Sequence, residues 1–318
     1  MPAITKQRPT DNGKQIEGSV LADAIPVADI EGDWMRMSIY GGNRVGKTTL
    51  ACQFPKPLLL VAFEPNPTGG AKSVRRVPGV VFLRLTSSAA GLQLCKELAE
   101  GDGRIPKHLR AGLTGDRFGT YVVDGATSYQ DIVLQEVMGW DKMPEQLSFG
   151  LVGKERYQER AERVKEGLRP FTNLPGHVVI LSKEKDHNPP RDDYASLNKL
   201  QTEAGFTPLR LESFFAEDVG GSVSGWLHDV CDYLGRLSIY KEVKTVTRTT
   251  KFQGKLVTKT EQVETGKLIR KLRTMYHPNC AAGFRSEGTD LAMPDWIIEP
   301  TFTKIWNVIN GRSVDASD

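Results

Sequence analysis

Gly41-Gly42-Asn43-Arg44-Val45-Gly46-Lys47-Thr48 carries the spacing G-x-x-x-x-G-K-[ST]. Trp34 to Tyr40 before it reads as a strand, and Thr49 to Phe54 after it reads as the first turns of a helix. Successive backbone N–H groups in such a turn converge on one point, with the positive end of the helix dipole behind them. Polyphosphate is the ligand this cradle takes. Lys47 would reach the β- and γ-phosphates, the Thr48 hydroxyl would ligate Mg²⁺, and Gly41 through Thr49 would line the nucleotide. A plain glycine turn leaves the Gly-Lys-Thr-Thr run without a reason.

Cleaving a phosphate there needs a carboxylate behind the metal, a group that activates water, and a cation for the developing charge. Asp124 ends the apolar run Thr120-Tyr121-Val122-Val123, placed to hold Mg²⁺ through water; its other reading is a cap for the helix near Ser128 and Tyr129. Many ATPases carry Glu directly after the metal Asp, but here that position is Gly125, so the base must come from elsewhere. Glu64 is the candidate, because it ends the strand after the phosphate-loop helix and adjacent strand ends lie about 5 Å apart. The alternative is a surface Glu in the turn Glu64-Pro65-Asn66-Pro67. Lys183, after a further strand ending at Ser182, offers positive charge or a sensor of the γ-phosphate, against simple solvation.

The elements that must position these groups are legible in outline. Pro57 to Phe63, Gly79 to Leu85, Thr120 to Asp124 and His177 to Ser182 are apolar runs of the kind found in strands buried on both faces. Helices are expected at about 88–100 and 129–139, and from Lys154 to Leu168, with Pro170 as the stop. Tyr157, Ala161, Val164 and Leu168 form one apolar stripe of that helix. Phe302, Ile305, Trp306 and Ile309 do the same for a closing helix at about 301–309. Gly101 to Gly119 reads as an irregular connection, and Tyr233 to Val263 as a hairpin turning near Gly254. The alternation argues for a mostly parallel sheet with helices on both faces.

Of the 318 residues, 39% are hydrophobic and 25% charged, and no run approaches the roughly 20 apolar residues of a membrane span. No apolar signal core opens the chain, so no membrane partner and a cytoplasmic location (host cytoplasm if phage-encoded) are expected. Cys52, Cys95, Cys231 and Cys280 lack C-x-x-C spacing and read as reduced, mostly buried thiols; His277 and Cys280 lack a second ligand pair for zinc. Residues 1–32 read as a flexible arm and 33–318 as one domain. Within it, residues 236–275 hold eleven Lys or Arg against three Glu, although the whole chain is only +3. That tract is either a polyanion footprint or a solvated β-ribbon.

With these motifs in place, the chain resembles the RecA-like core ATPases, and in particular the phage nucleotide-binding proteins related to single-strand annealing recombinases. The resemblance spans about residues 34–310 and rests on Gly41 to Thr49, Glu64, Val122-Val123-Asp124, the Val178 to Lys185 segment and the Trp296 to Asn310 region. It implies an α/β RecA-like P-loop NTPase core with a mostly parallel sheet flanked by helices, plus a C-terminal β-ribbon. It also implies ATP, Mg²⁺, a homo-oligomeric ring or filament, and contact with single-stranded DNA. Glu64 then resembles the water-activating glutamate. The 185–210 segment resembles a DNA-contacting loop, offering Arg191, Tyr194, Lys199 and Phe206 as cations and stacking rings. Relatives often place a Lys-x-Arg element in a neighbour's site; Lys271-Leu272-Arg273 fits literally, while Gly283-Phe284-Arg285 keeps only the Arg. A slowly hydrolysing nucleotide-dependent scaffold or switch that binds a protein partner is the second reading.

Overall fold

Successive residues of a strand point to opposite faces, and the central strands of this chain are apolar at both parities. A sheet built from them must be covered on both sides. The computed structural model describes residues 34–63, 69–141, 152–186, 214–252, 255–285 and 293–314. Among these, the strands are β1 (Arg36–Gly41), β2 (Leu58–Ala62), β3 (Val80–Arg84), β4 (Thr120–Asp124), β5 (His177–Asp186), β6 (Phe215–Glu217), β7 (Tyr233–Phe252), β8 (Lys255–Arg273), β9 (Gly283–Phe284) and β10 (Trp296–Ile298). The helices are α1 (Lys47–Ala51), α2 (Ser88–Glu100), α3 (Ala126–Met138), α4 (Lys154–Thr172), α5 (Gly221–Val230) and α6 (Phe302–Ile309), with a 3₁₀ turn at Gly69–Val74.

The sheet runs β10-β8-β7-β1-β5-β4-β2-β3, with β6 beside β5 and β9 beside β7. From β7 to β3 every neighbouring pair is parallel, while β8 and β10 are antiparallel additions. This is the α/β architecture expected of a RecA-like P-loop core, with β5 inserted between the phosphate-loop strand and the Asp124 strand. On one face Leu59, Val61, Val123, Val178 and Ile180 pack with α2, α3, α4 and α5. On the other Leu58, Leu60, Val122, Val179 and Leu181 pack with α1 and α6. The closing helix docks through rings: Phe302 lies 4.9 Å from Phe54 and 5.6 Å from His177, with Trp306 stacked on Phe302. Each such pair adds about 0.5–1.5 kcal/mol beyond simple burial.

Several details depart from the sequence expectations, among them β5, which continues past Ser182 to Asp186 because Glu184 to Asp186 pair with β6. Helix α4 continues through Pro170 to Thr172. Phe171 is fully buried and meets Phe63 edge-on, so the core rewards one more turn. The Arg36 guanidinium then donates to the carbonyls of Thr172, Leu174 and Gly176, satisfying acceptors at and beyond the helix end. Tyr157, expected in the buried stripe, lies exposed in the first turn of α4 with the Arg160 guanidinium 4.9 Å above its ring. Ala161, Val164 and Leu168 keep the stripe. Helix α3 starts at Ala126, directly behind Asp124, because Gly125 supplies the extended entry. All four cysteines are buried and unbonded. No helix among the described residues is long and apolar enough to cross a membrane.

Beside the site end of β1, the Glu217 carboxylate is fully buried. It accepts from Ser38 Oγ at 3.4 Å and Ser224 Oγ at 3.1 Å, and lies 3.2 Å from His228 Nε2. That hydrogen bond raises the His228 pKa above its usual 6.5, against an opposing effect of burial. A group whose folded pKa is raised stabilises fully below its unfolded pKa, and that stability fades as pH climbs through the folded value. The gap in urea midpoint between the wild type and His228→Ala should therefore be widest at about pH 6 and shrink as pH rises through the folded pKa. A gap that widens with pH would overturn this assignment of the pair.

Candidate functional site

The phosphate loop connects β1 to α1, and Gly46, at φ 96°, makes the left-handed turn into the helix. The Lys47 ammonium donates to the carbonyls of Gly41 and Gly42, each at 2.8 Å. An arriving phosphate competes for the same ammonium.

Asp124 shares the strand face of Val122, the side on which α1 lies, so its carboxylate is directed toward the loop helix. Thr48 Oγ1 donates to Asp124 Oδ2 at 2.8 Å. The carboxyl is buried, and burial raises its pKa, opposed by the Thr48 hydrogen bond and the Lys47 charge. Gly125 is the N-cap of α3 and no side chain caps that end, so Asp124 caps nothing there. Two hard oxygen donors side by side fit Mg²⁺, which takes few protein ligands and keeps its water.

The loop, the ends of β4 and β5, and the 3₁₀ turn Gly69–Val74 enclose a cavity of about 400 Å³. Asn43, Arg44, Gly46, Lys47, Thr48 and Thr49 line one side, and Asp124 and Lys183 another. Lys183 is held by its backbone N–H, which donates to Thr127 Oγ1 at 3.0 Å, leaving the exposed side chain at the rim. Ser182 also lines the cavity, and its buried hydroxyl has no hydrogen-bond partner among the described residues. A polar atom left so costs about 1–3 kcal/mol, and an incoming polar ligand would relieve that cost. Glu64, Arg191, Tyr194, Lys199 and Phe206 lie outside the described residues.

The late cations do not gather here. Arg273 is buried, ion-paired to Asp295 at 3.5 Å and stacked 4.7 Å over Trp296. Lys271 lies 5.0 Å over the Tyr240 ring. Alternation along β8 puts both on the sheet face opposite Leu272 and Arg270. Arg285 is exposed and pairs with Asp232 at 2.7 Å.

Sequence reasoning missed two parts of this site. Arg270 lies against the phosphate loop, its Nη1 3.4 Å from where a Cβ on Gly46 would stand, and Glu299 holds it at 3.0 Å. Only the β7–β8 register could have found it. The other part is Gly70, whose neighbours leave no room for a side chain. A Cβ there would stand 2.8 Å from Thr48 Oγ1 and 2.9 Å from Asp124 Oδ2. The Gly69-Gly70 pair was its faint signal.

A phosphate loop, a metal-type Thr–Asp pair and a parallel sheet with β5 between their strands define a nucleotide-binding protein of the P-loop ATPase class. Residues 34–261 match the family described as an AAA domain (AAA_24), and the chain belongs to that family. No curated protein matches it. Among solved structures it is similar to the flagellar accessory protein FlaH from Methanocaldococcus jannaschii, at 10% identity and TM-score 0.28, covering 81% of this chain and 94% of that one. It is similar also to the RadB recombinase, at 13% identity and TM-score 0.30, covering 76% and 90%.

Gly70→Ala should push the Thr48–Asp124 pair apart and weaken Mg²⁺-dependent nucleotide binding by about tenfold, about 1.4 kcal/mol. Titrating a fluorescent ATP analogue with and without Mg²⁺ measures this. Unchanged affinity would mean that the 3₁₀ turn does not border the metal position.

Proposed function

We propose that this chain is an Mg²⁺-dependent ATPase that assembles as a homo-oligomer and acts on single-stranded DNA in phage recombination or annealing. The observation that carries the ATPase reading is the Thr48–Asp124 pair at the floor of the phosphate-loop cavity. Mg²⁺ held by Thr48 and Asp124 would neutralise charge on the β- and γ-phosphates. Lys47 and the loop amides orient the triphosphate. Glu64, two residues past β2 in sequence, takes the proton of the attacking water in this reading; β2 itself lies directly beside the Asp124 strand.

The DNA part draws on the ribbon formed by β7 and β8. Register places Lys244, Arg248 and Lys259 on one face with Val246 and Val263, and two carboxylates accompany them, Glu242 at 3.9 Å from Lys244 and Glu261 at 2.7 Å from Lys259. The other face carries opposed threonines, Thr247 with Thr260 and Thr249 with Thr258. A basic face with apolar neighbours suits a phosphate backbone and its bases. The DNA-contacting role of the 185–210 segment belongs to the same reading.

The engagement of Lys271, Arg273 and Arg285 within their own chain favours a second reading, a slowly hydrolysing nucleotide-dependent scaffold for a protein partner. ATP turnover measured with and without single-stranded DNA separates the two. Under the first reading DNA stimulates turnover, and Glu64→Gln abolishes it while ATP still binds. No DNA binding at low salt would sink the recombination reading. Turnover unchanged in Glu64→Gln would sink the assignment of the base.

A further inference from the structure

The cation that completes this site need not come from a neighbouring subunit: we infer that Lys72 is a catalytic cation acting in cis on the terminal phosphate. This rests on the hydrolase reading above and deepens it.

The placement follows from the geometry of the Gly69–Val74 turn. A 3₁₀ helix repeats every three residues, so side chains three apart stack in rows. Ala71 and Val74 form one row and pack into the core beside α1, Val74 being buried. Gly70 and Ser73 form the second row, with Gly70 against the Thr48–Asp124 pair and Ser73 Oγ donating to the Gly70 carbonyl at 2.7 Å. Lys72 belongs to the third row. With the other two rows fixed, it lines the cavity beside Ser73. The turn is thereby seated by a buried valine on one side and a close backbone approach on the other, with Lys72 at the border between the nucleotide cavity and the pocket over β2 and β3.

The other cations in or near the cavity have different stations. Lys47 is bound to the loop carbonyls, and Arg44 belongs to the loop itself. Lys183 sits within β5, three residues before its end. Arg270 is locked to Glu299 behind Gly46. Lys72 is carried by the same turn that presses Gly70 against the Thr48–Asp124 pair.

In the reaction, the water oxygen bonds to the γ-phosphorus as the bond to the β–γ bridging oxygen breaks. The electron pair stays on the β-phosphate of ADP, and the water proton passes to Glu64. Lys72 keeps its proton throughout and stabilises the charge on the γ-phosphoryl oxygens.

The experiment compares the full chain with Lys72→Ala and Lys72→Arg, using single-turnover ATP hydrolysis and binding of a fluorescent ATP analogue. Lys72→Ala should lower the hydrolysis rate by about 100-fold, as loss of one preorganised donor does, with ATP affinity changed less than about threefold. Lys72→Arg should recover part of the rate. Lys72 is exposed, so the variants should fold, and retained ATP binding confirms it. Mixing Lys72→Ala with Lys47→Ala tests cis against trans, since a trans cation would be restored by a neighbour that cannot itself hold ATP. No rescue is expected. A wild-type rate in Lys72→Ala, or rescue on mixing, overturns the assignment. Absence of wild-type hydrolysis overturns the hydrolase reading and this assignment with it.

Discussion

One hydrogen bond ties the phosphate loop to the sheet: Thr48 Oγ1 to Asp124 Oδ2 at 2.8 Å. Two remote stretches of sequence must bring their ends together for it to form. Strand parity decides that Asp124 faces α1, and the insertion of β5 between β1 and β4 decides how far apart the two strand ends lie. The 3₁₀ turn is built around the result, with a glycine where any side chain would collide. A substitution that moves β4 by a fraction of an ångström therefore acts on the loop, the metal donors and the turn together.

The burial of the Asp124 carboxyl is the cost of that arrangement. Desolvation disfavours its charged form, and the Lys47 ammonium and Thr48 hydroxyl offset only part of the effect. A divalent cation at the same place would complete the compensation, so metal and carboxylate charge state are linked. The unpartnered Ser182 hydroxyl lies in the same cavity. Both observations describe a pocket polar beyond what the described residues satisfy.

Much of this was legible in the sequence, for physical reasons. Buried parallel strands need continuous apolar runs, so β2, β4 and β5 announced themselves, and Asp124 stood out as a charge ending such a run. The loop glycines and Lys47 are dictated by backbone geometry and phosphate charge. The 3₁₀ turn was invisible because its rows repeat every three residues over too short a stretch to register as a pattern, which hid Gly70 and Lys72. Arg270 depends on the pairing register of β8 across a bulge near Lys241 and Val243, and single-chain periodicity does not encode that register. Pro170 misled because a local rule for helix stops yielded to Phe171, whose buried ring holds the extra turn.

The β7–β8 ribbon has a mechanical side. Its base is part of the central sheet, with Tyr40 at the end of β1 paired to Arg236 and Arg270 braced against Gly46. Beyond Lys241 the paired strands continue to Phe252 and Lys255. At about 3.3 Å per residue, that free length is about 35 Å, so a tilt of about 5° at the root moves the tip by about 3 Å. The nucleotide loop thus sits at the fulcrum of a long arm. Displacements too small to disturb the packed core are magnified at the far end, and a load on the tip returns as torque on the glycine turn that grips the phosphates.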